Sequence, residues 1–569
     1  MELTRSKELQ KLISKTHVIL QESPDKLQGV IESVCDAIPK FDATKTVSMG
    51  SAVMRDLDLD TWIEGFATTV GGKETIKAMV ASPIHDAEIL NTRAHIATTM
   101  VTSHNLRALE KAAKNESAVL WVLSLPMESK DTFPFHILFP SWPIIRYLNY
   151  FPLFILALHI FRGYISPLLN VMYPLSGIFG PYFYMRRYLK FKMSIVQYLN
   201  ILKLAATVML RPGADLRRNA TKYVSIIIYI ALFLYGIIQG FDLAHIIRTV
   251  RADLITKMDR IHKFIQAAKD LKLDLDAFAP GISTEDIDLD NNLVSMYKLM
   301  TSATLREQLK ALLQKVYVSD VVVGAHKISK LGNGWTRCNY RTDTRLWGMG
   351  HPLLGAQVRN PIALTKNVII TGPNAAGKTT YMKSVCANMV LAQSLGFVCA
   401  VRNEICPVHS ISTSIRVHDT VGEASLFEAE VRRCAEIVKE AANVADSGKR
   451  AMYFLDEPMH STPPTEGAAT AMAIAAHLGS LPGIRIFMTT HYHQVTALET
   501  LHPELWINVS MEAVSDETNS NVFKFPYKIK KGPSFQCIAL EILKERCLPD
   551  QVITNAIEMK NKICAGLLD

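Results

Sequence analysis

The chain has no Cys-x-x-Cys pair. Its nine cysteines stand singly between Cys35 and Cys564, which argues against a zinc site and a disulfide framework and suits a reducing compartment. Charge is also scarce: Asp, Glu, Lys and Arg make up 20% of the 569 residues, while hydrophobic residues make up 49%. With a mean hydropathy of +0.13, membrane segments have to be sought before any fold is argued. There is no internal repeat and no low-complexity tract. The opening Met1-Glu2-Leu3-Thr4-Arg5-Ser6-Lys7 leads into a polar amphipathic stretch, unlike a secretory signal peptide.

The apolar residues are concentrated in one block. Residues 1–132 read as helical, with apolar positions three and four apart, as in Leu9–Leu20 and Leu106–Ala113. Residues 133–245 change character. Pro143–Phe161, Gly163–Met185 and Tyr223–Phe241 are apolar runs, each near the roughly 20 residues a spanning helix needs. Pro167, Pro174 and Pro181 interrupt the second run, so the first two read as a broken hairpin. Gly236 and Gly240 have the spacing of a helix-packing face.

The net charge of +9 also gathers here. Arg186, Arg187, Lys190, Lys192, Lys203, Arg211, Arg217, Arg218 and Lys222 oppose a single acid, Asp215. The positive-inside rule puts this loop on the cytosolic side, beside anionic lipid headgroups. If the segments before and after the apolar block both face the cytosol, the number of crossings is even. Two crossings satisfy this, and so do four if Met193–Leu210 also spans. Residues 246–335 return to charged helical sequence, and residues 336–569 alternate strand-like and helix-like segments, as an α/β nucleotide-binding domain does.

Gly372-Pro373-Asn374-Ala375-Ala376-Gly377-Lys378-Thr379 is a phosphate-binding loop, flanked by a strand-like Asn367–Thr371 and a helix-like segment from Thr379. Its glycines let backbone N–H groups converge on a phosphate, and the helix N-terminus adds positive potential. Lys378 is placed to reach the β- and γ-phosphates of ATP, with Thr379 offering a hydroxyl to Mg²⁺ and Thr380 extending the site. Ala451–Asp456 is an apolar strand ending in Asp456-Glu457. Asp456 suits Mg²⁺, and Glu457 suits a general base for the attacking water. His491 follows a third strand, Ile486–Thr490, and suits a γ-phosphate sensor.

These segments resemble the MutS mismatch-repair ATPase family. The loop at 372–379 is similar to that family's G-P-N-M-x-G-K-S-T. Leu391-Ala392-Gln393 and Gly396-Phe397-Val398 follow as its helix and strand do. Asp419 to Glu430, with Gly422 and Ser425, is similar to D-x-x-x-G-x-S-T-F-x-x-E. Asp456–Gly467 and Thr490-His491-Tyr492 resemble its D-E-x-x-x-G-T-S-x-x-[DE]-G and T-H-Y, and Lys531-Gly532 with Ala539–Pro549 resembles its dimerising end. Asp56–Leu59 and Ser82–Asp86 resemble its core and lever domain. There are departures. Met459-His460-Ser461 replaces the usual Gly-Arg-Gly, Ala375-Ala376 replaces Met-Gly, and no aromatic stands near Gln357 to stack on adenine. The expected Phe-x-Glu mismatch reader is absent from the first hundred residues, and so is the Leu-Ser-Gly-Gly-Gln of an ABC transporter.

The resemblance implies an α/β P-loop ATPase of ABC type (336–569), joined to a helical core and lever (1–132 and 246–335) that transmembrane helices interrupt (133–245). It implies ATP with Mg²⁺, hydrolysis to ADP and phosphate, and a homodimer or heterodimer in which Ser425 reaches the partner's nucleotide. The expectation is a multi-pass membrane protein whose ATPase faces the cytosol, with lipid as one partner and DNA, mismatched or branched, implied as another. A MutS-derived engine working on the membrane without DNA and an ABC-type transporter subunit are the alternatives.

Overall fold

A computed structural model describes residues 23–126, 135, 138–140, 142–210, 216–332, 334–415, 426–515, 523–536 and 549–564. The chain forms two compact units. One holds 114–266 and 285–310 with the described residues up to 30, and the other holds 31–113, 267–284 and 311 onward.

In the second unit, after helices at Pro24–Asp36 (from residue 31), Val53–Leu57 and Leu59–Glu64, come α1 (Val70–Ala81), α2 (Ala87–Thr99) and the start of α3 (Ser103–Ser124). Asp86 caps α2 by accepting from Glu88 N and Ile89 N at 3.0 and 3.3 Å, which satisfies two of the helix's unpaired donors. In the first unit follow α4 (Pro152–Ile160), a π turn (Phe161–Ile165), α5 (Ser166–Arg187), α6 (Ile195–Leu210), α7 (Leu216–Asp270) and α8 (Leu293–Thr301).

Pro152 to Arg187 is therefore one helical run, and the expectation of a hairpin broken within it is corrected. The π turn at Phe161–Ile165 joins α4 to α5, and Pro167 is the second residue of α5. Pro174 and Pro181 lie within α5. Their ring geometry predicts a break, but the helix continues through both. The packing face at Gly236 and Gly240 is half realised. A Cβ on Gly240 would meet Asn170 Nδ2 at 2.4 Å, whereas nothing lies within 4 Å of one on Gly236. Tyr198 donates to Ile178 O at 2.6 Å, tying α6 to α5. At 16 residues, α6 is about 24 Å long, less than the ~30 Å of a hydrocarbon core.

The outer faces of these helices are apolar. Among the described residues, two helices are long and apolar enough to cross a membrane, Pro152–Tyr173 and Tyr223–Asp270, and the most apolar window of the second has no buried residue. Leu153, Tyr173, Ile227 and Tyr229 are among the exposed apolar side chains. The remainder of this unit has an ordinary core. The Phe139 and Tyr297 rings are 5.1 Å apart, and Lys257 lies over Trp121 at 4.5 Å.

The second unit continues with α9 (Ala303–Ser329), whose residues from 311 belong to it, and then the strands. β1 is Ser48–Met49. β2 (Trp335–Arg337), β3 (Arg345–His351), β4 (Gly355–Ala363), β5 (Asn367–Thr371), β6 (Phe397–Cys399), β7 (Arg402–Glu404) and β8 (Ser410–Ser414) surround α10 (Lys378–Ser394). Next come α11 (Leu426–Asp446), β9 (Ala451–Asp456), α12 (Pro464–Ser480), β10 (Ile484–Thr489) and β11 (Trp506–Met511). A short ladder of β12 (Val514–Ser515) and β13 (Phe523–Lys524), then β14 (Ile529–Lys531) and α13 (Asp550–Cys564), complete the described elements.

The main sheet runs β1-β8-β9-β10-β5-β11-β14, parallel except for β14. Every residue of β5 and β8 is buried. A sheet covered on both faces favours such unbroken strands over alternating ones. The phosphate loop leaves the carboxyl end of β5, where ligands bind in open α/β sheets.

The sheet is not complete within 336–569. Its edge strand β1 comes from residue 48, paired through Ser48 with Ser410. Around it, Asp56 Oδ2 accepts from Thr413 Oγ1 at 2.7 Å, and Ile84 exchanges hydrogen bonds with Gln393. Arg93 of α2 is 1% exposed. Its guanidinium donates to Ala277 O at 2.7 Å and to Ser394 O at the end of α10. It also lies over Phe41 and Phe278, 5.3 Å from each ring centre. Burial pushes its pKa down to about 10, so it stays charged at neutral pH. The segment that resembles a core and lever thus braces the nucleotide-binding sheet.

Candidate nucleotide site

The turn from β5 into α10 is shaped by backbone that only certain residues adopt. Gly372 has φ +145°, and a Cβ there would stand 2.1 Å from Met511 O. Gly377 has φ +94° and forms the N-cap of α10. Ala375 also has positive φ, at 66°.

Lys378 folds back across this turn. Its Nζ donates to Gly372 O at 3.0 Å and Pro373 O at 3.4 Å, and lies 3.5 Å from Glu457 Oε1. Burial lowers its pKa, while Glu457 and Asp456 oppose that shift. Thr379 Oγ1 donates to both Asp456 oxygens, at 3.0 and 2.9 Å, and Thr489 Oγ1 donates to the same carboxylate. Burial raises the Asp456 carboxyl above its ordinary value, with the two hydroxyls working against it.

Glu457 Oε1 lies 2.7 Å from His491 Nε2 and 3.5 Å from Lys378 Nζ. Burial raises its pKa, but His491 and Lys378 outweigh burial and hold the carboxyl below its ordinary value. Glu457 has φ 47° and Met459 has φ 64°. Left-handed backbone at non-glycine residues costs about 1–3 kcal/mol each and persists only where neighbours hold it. Glu457 N is held by Thr489, donating to its O and Oγ1 at 3.1 Å each.

Because the Glu457 pKa is lowered on folding, its contribution is complete above the unfolded value of 4.5 and is lost as pH falls through the folded one. Asp456, with a raised pKa, works in the opposite sense. The unfolding midpoint should therefore drop on acidification below about pH 4.5, and Glu457→Gln should flatten that drop. An unchanged acid slope in the variant would remove Glu457 from this balance.

Beside the loop lies a cavity of about 620 Å³, lined by Asn374, Lys378, Thr379, Thr380, Glu457 and Tyr527 among others. Its apolar wall is Leu354 and Val358. His351 also faces it; burial, then Lys383, pushes its pKa to about 4, so the ring is neutral at pH 7. Tyr527 is the aromatic on the cavity's wall beside the phosphate loop. Its Cδ1 would stand 3.0 Å from a Cβ on Gly377, and its backbone is pinned by Asn360, which donates to Tyr527 O at 2.8 Å and accepts from Ile529 N at 3.1 Å. The one sequence sign was Phe525-x-Tyr527 just before Lys531-Gly532.

The structure thus brings Lys378, Thr379, Asp456, Glu457 and His491 together. His491 contacts Glu457, so it reaches a phosphate only by way of that carboxylate or by moving. Ser425, with Asp419 and Gly422, lies outside the described residues, as does most of Ala539–Pro549. Glu430, further along α11, is 4% exposed. It accepts from Ser461 Oγ at 2.6 Å and contacts His460 Nδ1, two of the residues that depart from the family's glycine-rich form.

The Thr379 hydroxyl and Asp456 carboxylate, both oxygen donors and in contact, fit Mg²⁺, which favours one or two protein oxygens plus phosphate and water. Among the described residues no group of three His, Cys, Asp or Glu could hold a metal by itself, which suits an ion that arrives with its nucleotide. When bound, Mg²⁺ would supply charge neutralisation of the phosphates.

Residues 368–564 match the family model for MutS domain V. These residues thus form a MutS-type domain V. It is 32% identical over 189 residues to the DNA mismatch repair protein MutS of Sorangium cellulosum, covering 33% of this chain and 20% of that protein. It is 28% identical over 281 residues to the DNA mismatch repair protein MutS of a Synechococcus, covering 46% and 30%. The DNA mismatch repair protein MutS 2 of Halobacterium salinarum is 29% identical over 192 residues, covering 34% and 21%. The chain thus spans about a fifth to a third of the length of these MutS relatives. MutS domain V accounts for the loop, the acidic strand end and His491.

Proposed function

We propose that this chain is a membrane-anchored MutS-type ATPase, hydrolysing ATP to ADP and phosphate. The observation that carries the ATPase reading is the convergence of Lys378, Thr379 and Glu457 on one cavity, with Asp456 bonded to Thr379. Lys378 binds the β- and γ-phosphates, exchanging Glu457 for them. Thr379 and Asp456 hold Mg²⁺. Glu457, freed from Lys378 and still beside His491, takes a proton from the attacking water. Tyr527 offers its ring to the base. In a homodimer or heterodimer, Ser425 completes the partner's site.

The membrane reading rests on the two long apolar helices with exposed faces and the basic stretch between them. The order lever, apolar block, lever, ATPase leads us to infer that nucleotide-driven closure of two heads changes the spacing or tilt of helices in a bilayer, with the ATPase in the cytosol. The relatives' names make DNA the first ligand to test. A membrane task without DNA is the second reading, favoured by the apolar helices.

The test is ATP hydrolysis by detergent-purified protein with homoduplex, mismatched and branched DNA at two salt concentrations, alongside alkaline extraction of membranes. Turnover that DNA stimulates, steeply less at high salt as phosphate contacts require, supports the DNA reading. Turnover indifferent to DNA but raised by lipid supports the membrane task. Release of the chain by alkaline extraction would overturn the anchor.

A further inference from the structure

The strained turn after β9 is held at several points, among them Thr462 N donating to Met459 O at 3.2 Å, and the hold on Met459 lies outside the site described above. Thr489 holds Glu457. Met459, with φ 64°, is held by Tyr492, whose hydroxyl donates to Met459 O at 2.9 Å. Tyr492 is itself fixed closely. Its N donates to Thr490 Oγ1 at 3.0 Å. Its hydroxyl lies where a Cβ on Gly467 would stand 2.3 Å away, so α12 leaves room for it only because residue 467 is glycine. Its ring packs against the core that includes Tyr453, Leu455 and Val495. Burial, with Glu430 nearby, raises the phenol's pKa, so the donor keeps its proton.

Thr489, His491 and Tyr492 therefore grip successive points of one loop from one strand end. His491 touches the Glu457 carboxylate, Thr489 its amide, and Tyr492 the carbonyl two residues on. Left-handed backbone at a non-glycine residue persists only when its surroundings over-determine it, and it gathers at functional sites. We propose that Tyr492 is a positioning residue for ATP hydrolysis: its hydroxyl keeps Met459 left-handed and so keeps the Glu457 carboxylate where it meets the attacking water. This inference rests on the ATPase reading above.

The test compares wild type, Tyr492→Phe, Met459→Gly and the double variant in steady-state ATP hydrolysis. Tyr492→Phe keeps the ring in its core and removes one hydrogen bond. The expected result is kcat lower by about tenfold with KM for ATP unchanged, the effect of one buried hydrogen bond felt at the transition state. Glycine takes a positive φ without a side-chain penalty, so Met459→Gly in the Tyr492→Phe background should recover at least half of wild-type turnover. A merely structural tyrosine would not be rescued by a glycine at residue 459. Wild-type kcat in Tyr492→Phe, or a double variant as slow as the single one, would overturn the proposal while leaving the ATPase reading intact. A wild-type protein without turnover would overturn both.

Discussion

Glu457→Ala should bind ATP at least as tightly as wild type and turn it over about 10²–10⁴-fold more slowly, the usual range for loss of a general base. The carboxylate is below its ordinary pKa, so at neutral pH it is ionised and able to accept a proton. It is also a partner of Lys378, 3.5 Å away. Each ATP that binds has to displace it from that lysine. Alanine removes this competitor, so affinity is kept or rises while the chemical step fails. Equilibrium nucleotide binding and phosphate release, measured on the same preparation, separate the two effects. Turnover within threefold of wild type would show that another group receives the proton. Glu457→Gln is the companion variant: it keeps the side chain's size and should be equally slow.

Arg93→Ala should be among the most destabilising single changes in the nucleotide-binding unit, costing about 3–5 kcal/mol. Two charge-assisted hydrogen bonds are lost, each worth about 1.5–3 kcal/mol, and the space between the Phe41 and Phe278 rings is left partly empty. The carbonyls of Ala277 and Ser394 lose their donor. Ser394 ends the helix that begins at Lys378, so the far end of the phosphate-loop helix loses its brace, and a cation is removed from a helix C-terminus, where it is favourable. The unfolding midpoint, followed by tryptophan fluorescence, should fall by roughly 10 °C. Arg93→Lys should recover less than half of this, since an ammonium lacks the planar fork that bonds two carbonyls while stacking on two rings. A shift of no more than about 2 °C for Arg93→Ala would show that the surrounding segments hold together without it.

The catalytic half of the site was legible because its parts are contiguous in sequence. Asn367–Thr371 leads into Gly372–Thr379, and Ala451–Asp456 leads into Glu457, so each strand carries its functional residue at its own carboxyl end. The other half was not. Tyr527 reaches the cavity because Asn360, 167 residues earlier, pins its backbone, and no local pattern announces a pairing of that span. β1 is two residues long, too short to show the alternation by which strands are read. The run through Pro167, Pro174 and Pro181 misled in the other direction. Proline's local geometry argues for breaks, but the helical run continues past all three rings. His491 has a carboxylate, Glu457, as its neighbour, a contact made where the Glu457 backbone is left-handed, which no residue type signals.

The edge strand at Ser48 has a consequence for synthesis. Its partner, Ser410, lies 362 residues further along the chain. At about 5–20 residues per second, β1 leaves the ribosome roughly 20–70 s before β8 exists to receive it. In that interval the whole apolar block is translated. The nucleotide-binding sheet can therefore close only after that block has been synthesised, so β1 waits unpaired with Ser410 while residues 142–241 emerge.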